Sequence, residues 1–506
     1  MPRKSAKRPI VPPPPKRAAA PRKRVAPAPA PAQAPKQRRT LYRAHEPTSA
    51  APSGLGAQLG GTARLELLCP RPPLAASLPP LPPLLDAPTA LAIELVRVRA
   101  LAGLRARLSE LCRARGVEVA PMNAFERWRF LGTWSEAGSA EADPLLPSAA
   151  ACASVAYAAG ADAAPLLDGA RSAAEWLAED LCRAGVAAAD AAAAAAALGA
   201  ASDAARVEIG RAARDAVRAR PPNVSVATHA DDAALRQVTV SGAEAPVVVS
   251  AATLQKLRTL YRGDARSENE FLQRAAALLL RYDAIGGAGL HASLGADVHE
   301  SLREAAGCAF ECCASPLNTY FGVGAYCSPF ADVEAPFGSR GSFAAFSPAR
   351  GSFEVNPPFG DGMIDAVVCH LLRLLATAQV AAEALAFVVV LPGWRDSRGW
   401  RALDGSPLLR RRLLVAAAHH GFVDGAQHAR RASFRQSPYD STLFFLQSDA
   451  AHAARPLSDE QLAAVERALA ACAPSASALD DVALHERVER GGARRRLKRS
   501  RERRDG

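Results

Sequence analysis

The segment Asn356-Pro357-Pro358-Phe359 combines residue types that can hold a planar amine. The two prolines fix the backbone and lack N–H groups, so the segment offers carbonyl oxygens, one side-chain amide and one ring. The Asn356 oxygen and a proline carbonyl can each accept one amine hydrogen, while Phe359 stacks on the flat ring that carries the amine. The nitrogen lone pair then points towards an electrophile. These residues indicate methyl transfer to an amine, with S-adenosylmethionine as the donor.

The general pattern Asp/Asn/Ser-Pro-Pro-aromatic is the signature of methyltransferases that act on the amino groups of adenine, cytosine or glutamine. The alternative interpretation is a proline-rich turn, because the chain contains 39 prolines. Its setting favours the chemical interpretation, since SFEV (352–355) is typical of a strand and residues 361–379 are typical of a helix. In a doubly wound sheet, ligands bind beyond the carboxyl ends of the strands, which is where this motif lies.

Strands and helices alternate on both sides of the motif. The apolar runs read as strands at 308–315 (CAFECCAS), 384–392 (ALAFVVVLP) and 441–449 (STLFFLQSD). Residues 408–421 (LLRRRLLVAAAHHG) read as a helix that ends at Gly421, and residues 458–473 read as another helix. The sequence therefore predicts an α/β fold, with a Rossmann-like class I methyltransferase core and a doubly wound sheet.

Composition predicts four segments in the 506 residues. They are a disordered Pro/Ala/basic tail (1–60), a mainly helical domain (61–235), a Rossmann-like methyltransferase domain with flanking helices (236–475) and a basic C-terminal tail (476–506). Helical spacing predicts helices at 90–118, 171–184, 201–219, 251–263 and 267–284, and composition favours a helix at the alanine tract 186–199. Residues 236–250 alternate like two strands around a turn, and Ser250 is positioned to cap the helix that follows.

The positive charge of the chain is concentrated in its two tails. Residues 1–43 contain thirteen Lys/Arg and no acid, and residues 487–506 contain ten Lys/Arg and three acids, in a chain of net charge +12. Such tails bind polyanions or act as import signals, so we expect a nuclear protein. We expect no membrane span, since no apolar run reaches about 18 residues. The ten cysteines follow no common zinc spacing, so we also expect no metal.

Five blocks of the chain resemble the phosphorylated CTD-interacting factor family, the cap-specific adenosine N6-methyltransferases. The blocks are FECCASPLNTYF (310–321), DVEAPFGSRGSF (332–343), GSFEVNPPF (351–359), FVVVLPGWRD (387–396) and STLFFLQSD (441–449). The resemblance runs from about residue 236 to residue 470. It implies N6-methylation, with S-adenosylmethionine, of the 2′-O-methyladenosine next to the cap of mRNA.

The resemblance also implies roles for individual residues. Asn356, Pro357, Pro358 and Phe359 would hold and stack the target adenine. The cofactor pocket would be lined by Ser315, Pro316, Asn318, Phe337, Gly338 and Ser339, and Asp332 or Glu334 would hold the ribose hydroxyls of the cofactor. One departure is that no glycine-rich loop follows CAFECCAS, so the amino-acid end of the cofactor must be held in another way.

The RNA-binding residues are predicted from charge and aromatic character. The helices at 251–263 and 267–284 carry a basic set with Lys256, Arg258, Arg262 and Arg281. Four further residues suit a cationic cap base, which stacks on tryptophan, namely Trp394, Arg395, Trp400 and Arg401. The alternatives for these residues are a solvated helix face and core packing.

Partners follow from the same resemblance. Capped mRNA is the expected substrate, and the phosphorylated tail of RNA polymerase II is a further expected partner. Animal members of the family bind that tail through a WW domain, whereas the N-terminal half of this chain lacks the tryptophan pair of such a domain. Two alternatives stay open for the function. One is an amino-methyltransferase for DNA adenine, internal RNA adenine or protein glutamine, and the other is a non-catalytic RNA-binding scaffold.

Overall fold

The computed structural model describes most of the chain between residues 84 and 472. The described stretches are 41–42, 84–150, 172–285, 292–320, 326–424 and 434–472, except for positions 138, 140, 217, 219, 265 and 361. The predicted basic tails therefore lie outside the described residues, apart from the two-residue strand β1 (Leu41–Tyr42). Helices and mixed sheets together form a mixed α/β fold.

Four helices come first, namely α1 (Ala87–Arg113), α2 (Met122–Ser135), α3 (Ala173–Arg183) and α4 (Ala188–Ala216). Each starts where the sequence supplies a cap or a helix former. The Asp86 carboxylate accepts the Thr89 N–H at 2.9 Å, and Ser172 and Glu175 form a reciprocal capping box at α3. The alanine tract lies within α4, whose small side chains let it pack closely on α1 and α3. The helices predicted at 90–118 and 171–184 are confirmed, whereas the helices predicted at 186–199 and 201–219 form the single helix α4, and α2 was not predicted.

A three-stranded antiparallel sheet and two helices follow. The strands are β2 (Val224–His229), β3 (Asp232–Val240) and β4 (Val247–Ser250), in the order β2-β3-β4. Helix α5 (Ala251–Leu260) begins at Ser250, whose hydroxyl accepts the Thr253 N–H at 3.0 Å, as the sequence predicts. Helix α6 (Glu268–Ile285) is also confirmed. The predicted domain boundary at 235/236 falls inside β3, and the boundary itself stays a prediction.

The remaining elements surround the NPPF motif in chain order. They are β5 (Ala292–Ser293), α7 (Ala296–Ala306), α8 (Ala331–Glu334), β6 (Gly351–Val355), α9 (Met363–Val380), β7 (Leu385–Pro392), α10 (Arg398–Asp404), β8 (Leu409–Val415), β9 (Gly421–Asp424), β10 (Phe434–Gln436), β11 (Ser441–Gln447), α11 (Asp449–Ala454) and α12 (Asp459–Ala471). Strands β1, β10, β9 and β5 form a small antiparallel sheet.

The central sheet has the strand order β6-β7-β11-β8. Strands β6 and β7 are parallel, and the pairs β7–β11 and β11–β8 are antiparallel. The strands predicted at 352–355, 384–392 and 441–449 are confirmed, but this sheet is mixed rather than fully parallel. A parallel pair needs a long crossover, usually a helix, and α9 supplies one only between β6 and β7. Strands β7 and β11 are buried along their whole length, as continuous apolar runs require.

Two sequence predictions around this sheet need correction. Residues 409–415 form the edge strand β8 and not a helix, because pairing with β11 supplies their backbone hydrogen bonds. In that strand Arg411 and Arg412 are exposed, so tertiary pairing outweighs the helical propensity of Leu and Arg. Residues 308–315 form no continuous strand. They make an isolated parallel pairing with β6 at Glu311, where the Cys312 N–H donates to the Glu354 carbonyl at 2.8 Å.

Helix α9 is the crossover that follows the NPPF motif. By length and composition alone it is apolar enough to cross a membrane, with a mean hydropathy of 1.5 over 18 residues. However, 67% of it is buried inside the protein, against β6, β7 and α2. This burial is the property of a core helix, and the helix fixes the position of the motif at its N-terminus.

Candidate functional site

A cavity of about 840 Å³ lies between the first helices and the carboxyl end of β6, next to the motif. This volume is in the usual range of small-molecule sites. Five of the predicted site residues line it, namely Ser315, Asn318, Asp332, Asn356 and Pro358. Helices α1 and α2 supply much of the opposite wall, including Arg97, Arg129, Phe130 and Trp134. The cavity thus brings together predicted site residues that lie up to 43 positions apart in the sequence, from Ser315 to Pro358.

Asn356 occupies the carboxyl end of β6 and is buried. Its Nδ2 donates a hydrogen bond to the carbonyl of Ala292 in β5 at 3.0 Å. Because a carbonyl can only accept, this bond fixes the orientation of the amide and turns Oδ1 away from Ala292. The neighbouring Pro357 and Pro358 have no N–H that would compete for that oxygen. The site therefore offers a positioned acceptor at the cavity wall.

Phe359 and Pro357 differ from Asn356 and Pro358, since neither of them lines the cavity, and Pro357 is buried. The half-buried ring of Phe359 packs edge-on against Phe422 of β9, with ring centroids 5.8 Å apart. The turn that follows Phe359 packs against helices α2 and α3. Gly362 has φ +78°, and Leu131 of α2 and Trp176 of α3 lie close to its Cα. A side chain at this glycine would be strained, so the turn requires glycine.

The predicted cofactor residues divide into a lining group and a supporting group. Ser315, Asn318 and Asp332 line the cavity, whereas Glu334, Phe337 and Ser339 are fully buried behind it. Pro316 is buried in the same loop as Ser315. Gly338 has φ +101° and packs against the Arg262 guanidinium.

Asp332 and Glu334 are not equivalent, although both are acidic and close in sequence. The Asp332 side chain is 34% exposed, while Glu334 is fully buried and accepts hydrogen bonds from the Tyr282 hydroxyl and the Phe330 N–H. Burial raises the pKa of Glu334 to about 7, against the opposite effect of these donors. Of the two carboxylates that the sequence left open, only Asp332 faces the cavity.

Asp332 is the exposed end of a buried charge cluster. The cluster consists of Glu94, Arg97, Asp143, Arg281 and Asp332. Arg281 donates to both Asp332 oxygens at 2.8 Å, and Arg97 donates to Asp332 at 3.3 Å and to Asp143 at 3.0 Å. Although burial raises the pKa of Asp332, the charges of Arg281 and Arg97 outweigh it and hold that pKa below its usual range. Asp332 therefore stays a charged acceptor at neutral pH.

The residues predicted to bind RNA are dispersed. Arg281 is fully buried in the charge cluster, so it positions Asp332 from inside the protein. Arg258 is exposed but pairs with Glu268 at 2.7 Å and lies over the Phe271 ring. Arg395 is exposed, and Trp394 packs on Tyr439.

The remaining predicted cap residues lie on or next to α10. Trp400 is buried and donates through Nε1 to Thr442 at 3.1 Å, so its ring is part of the core. Arg401 is exposed, and its guanidinium donates to the carbonyl of Asp396 at 2.8 Å. Neither residue is among those that line the cavity.

Sequence reasoning missed the residues that α1 and α2 contribute to the cavity, above all Arg97, and it missed Glu94, which pairs with Arg97 inside the protein. Glu94 is fully buried, and it is the acceptor that joins Arg97 and Arg281. The signal was present, because Glu94 and Arg97 interrupt the apolar run LAIELVRV (91–98) on the buried side of a helix. A charge at such a position is buried only when it is paired.

Residues 256–425 match a family described as the phosphorylated CTD interacting factor 1 WW domain. The resemblance to that family is confirmed. The match begins in α5, contains the 315–320 loop and the NPPF motif, and ends just after β9. Although the description names a WW domain, the matched residues form helices α6–α10 and the strands around them.

Two curated relatives are also similar to this chain. Proteins named mRNA (2′-O-methyladenosine-N(6)-)-methyltransferase from Homo sapiens and Mus musculus are each 36% identical to this chain, over 242 and 241 residues. The alignments cover 45% of this chain and 33% of each relative. The chain thus spans about a third of the length of the relatives that it matches.

Proposed function

We propose that this chain transfers a methyl group from S-adenosylmethionine to N6 of the 2′-O-methyladenosine next to the cap of mRNA. One observation carries the proposal: Asn356 lines the cavity, and the hydrogen bond from its Nδ2 to Ala292 fixes the orientation of its amide. The names of the human and mouse relatives support the choice of substrate. The fold that we propose for this activity is a Rossmann-like core with an added helical domain.

The motif residues would divide the task of holding the adenine amine. Asn356 Oδ1 would accept one amine hydrogen, and the carbonyl oxygen of Pro358, which also lines the cavity, would accept the second. Both hydrogens are then held in one plane, so the nitrogen lone pair points out of it towards the reacting carbon. Phe359 would stack on the base after its ring leaves the contact with Phe422.

The cavity fits a nucleoside cofactor in its chemistry. Asp332 presents a charged carboxylate with a third of its side chain exposed, which suits the two hydroxyls of a ribose. Ser315 and Asn318 line the cavity with Asp332, while Glu334, Phe337 and Ser339 support that wall from behind. When bound, S-adenosylmethionine supplies an electrophilic methyl group on a sulfonium centre.

The partners and the location are also proposals. Capped mRNA is the proposed substrate. A second proposed partner is the phosphorylated tail of RNA polymerase II, on the strength of the family description. Both partners agree with a nuclear location, which we propose from the basic runs at 21–24 and 494–504.

The test is methyl transfer by the purified full chain from labelled S-adenosylmethionine. The RNAs begin with A or G, are capped or uncapped, and carry or lack the 2′-O-methyl group, and the digested nucleosides are weighed by mass spectrometry. N6-methylation confined to capped RNA that begins with A is the expected result. Transfer to uncapped RNA, DNA or protein glutamine would identify another amine substrate. Cofactor binding without any transfer would indicate a non-catalytic scaffold.

A further inference from the structure

The loop from Ser315 to Tyr320 forms the cavity wall at the place where many nucleotide sites have a glycine-rich turn. The chain has no such turn there, and the loop is fixed by side chains instead. Asn318 Oδ1 accepts the Ser315 N–H at 2.7 Å and the Ser315 hydroxyl at 2.9 Å. All six residues of the loop are buried, so their backbone polar groups need partners within the protein.

Lys256 of α5 supplies partners for two carbonyls of this loop. Its Nζ donates to the carbonyl of Leu317 at 3.1 Å and to the carbonyl of Thr319 at 2.7 Å. Because Lys256 donates hydrogen bonds to two backbone carbonyls, it bridges one turn of the loop and holds the loop against α5. Burial lowers the pKa of Lys256 to about 8, against the opposite effect of Glu311.

Glu311 holds the other side of the loop. One of its carboxylate oxygens accepts the Thr319 hydroxyl at 2.6 Å and the Tyr320 N–H at 2.9 Å. Glu311 is itself buried and fixed by its pairing with β6 at Glu354, two residues before Asn356. The loop is therefore tied both to α5 and to the strand that carries the amine-holding motif.

The end of the loop is fixed by a second pair of contacts. The Tyr320 ring stacks on His299 of α7, with centroids 5.1 Å apart and planes 2° apart. The Tyr320 hydroxyl donates to Glu300 at 2.7 Å. Two helices and a strand thus hold the loop in one conformation.

We propose that Lys256 and Glu311 are positioning residues that hold the 315–320 loop in its cofactor-binding conformation, in place of a glycine-rich turn. The inference rests on the proposed function, because it takes Ser315 and Asn318 as contacts of S-adenosylmethionine. Neither positioning residue lines the cavity, so each acts through the loop. Their loss changes cofactor affinity more than the rate at saturating cofactor.

The test uses the full chain with Lys256→Met, which keeps the length of the side chain and removes its donors. Thr319→Val is a second variant that removes the hydroxyl that donates to Glu311 and keeps the side-chain shape. Gln255→Met is the matched control, since Gln255 is the exposed neighbour of Lys256 on α5. Each variant is first checked for an unchanged far-ultraviolet circular dichroism spectrum.

The first readout is hydrogen–deuterium exchange of the peptide that contains residues 315–320, without cofactor. Lys256→Met and Thr319→Val are expected to raise the exchange rate there at least tenfold, and Gln255→Met is expected to leave it unchanged. The second readout is the Kd of S-adenosylmethionine by calorimetry, which is expected to rise at least tenfold in Lys256→Met. The KM for S-adenosylmethionine should follow this Kd, while kcat at saturating cofactor falls less than threefold.

The outcomes separate this inference from the proposed function. Wild-type exchange and wild-type cofactor affinity in both variants would overturn the positioning role. Faster exchange with unchanged affinity would also overturn it, because the loop would then not be part of the cofactor site. Wild-type chain that binds S-adenosylmethionine but methylates no capped RNA would refute the proposed function alone. Wild-type chain that does not bind S-adenosylmethionine would refute both.

Discussion

Replacement of Asn356 by alanine is the most direct test of the amine-holding site. The change removes the Oδ1 acceptor from the cavity wall and the hydrogen bond from Nδ2 to Ala292. A positioned polar contact of this kind typically stabilises the transition state by about 3–4 kcal/mol, so kcat should fall by about 10²–10³. The lost bond to Ala292 should lower the free energy of unfolding by about 1 kcal/mol. Cofactor affinity should stay unchanged, because Ser315 and Asp332 are not altered.

A second variant separates the acceptor from the rest of the amide. Asn356→Asp keeps an acceptor oxygen in the cavity but places a second acceptor against the carbonyl of Ala292, which disfavours the fixed orientation. We expect its kcat to lie between those of the wild type and the alanine variant. The control is Asn223→Ala, since Asn223 is exposed just before β2, far from the motif in sequence.

The assay is methyl transfer to capped RNA that begins with 2′-O-methyladenosine, with the nucleosides resolved by mass. Cofactor binding is measured in parallel by calorimetry, and unfolding by urea titration. An Asn356→Ala protein that is folded, binds the cofactor and turns over within threefold of the wild type would refute the reasoning. In that case the amine would have to be held by the proline carbonyls alone.

Three further predictions concern residues in and around the site. Phe359→Ala should weaken RNA binding by about 1–3 kcal/mol, and lower stability with unchanged RNA affinity would instead make its ring a packing residue for Phe422. Asp332→Asn should raise the Kd for S-adenosylmethionine about tenfold, equal to about 1.4 kcal/mol, and calorimetry that finds no change would remove its cofactor role. The pKa of Glu334 is raised to about 7, so the folded state binds an extra proton between about pH 4.5 and pH 7 and the chain loses stability as pH rises through that window. Across that window the free energy of unfolding should fall by about 3 kcal/mol. Glu334→Gln should abolish this pH dependence in urea titrations, and a pH dependence that persists in the variant would assign it to another group.

Sequence alone was sufficient to predict a chemistry for the motif, and that chemistry stays a prediction. The residue types in Asn356 to Phe359 limit what the segment can offer to acceptors and a ring, whatever the surrounding fold. Long periodic segments were also readable, because α9 and β7 bury apolar residues at the spacing that defines a helix or a buried strand. The capping role of Ser250 is equally local, since it depends only on the N–H three residues later.

Only the tertiary structure decided how these parts meet. Residues 409–415 form a strand because they pair with β11. The helical pattern of these residues does not reveal that distant strand partner. Asp332 and Glu334 are both carboxylates, so their residue types do not show which of them faces the cavity. Their burial in the fold shows that it is Asp332. Arg281 was predicted to face RNA, yet it lies in the core because Glu94 of a distant helix pairs with it. Pairing, burial and strand partners are relations between distant segments, so they follow from the fold and not from any one stretch of sequence.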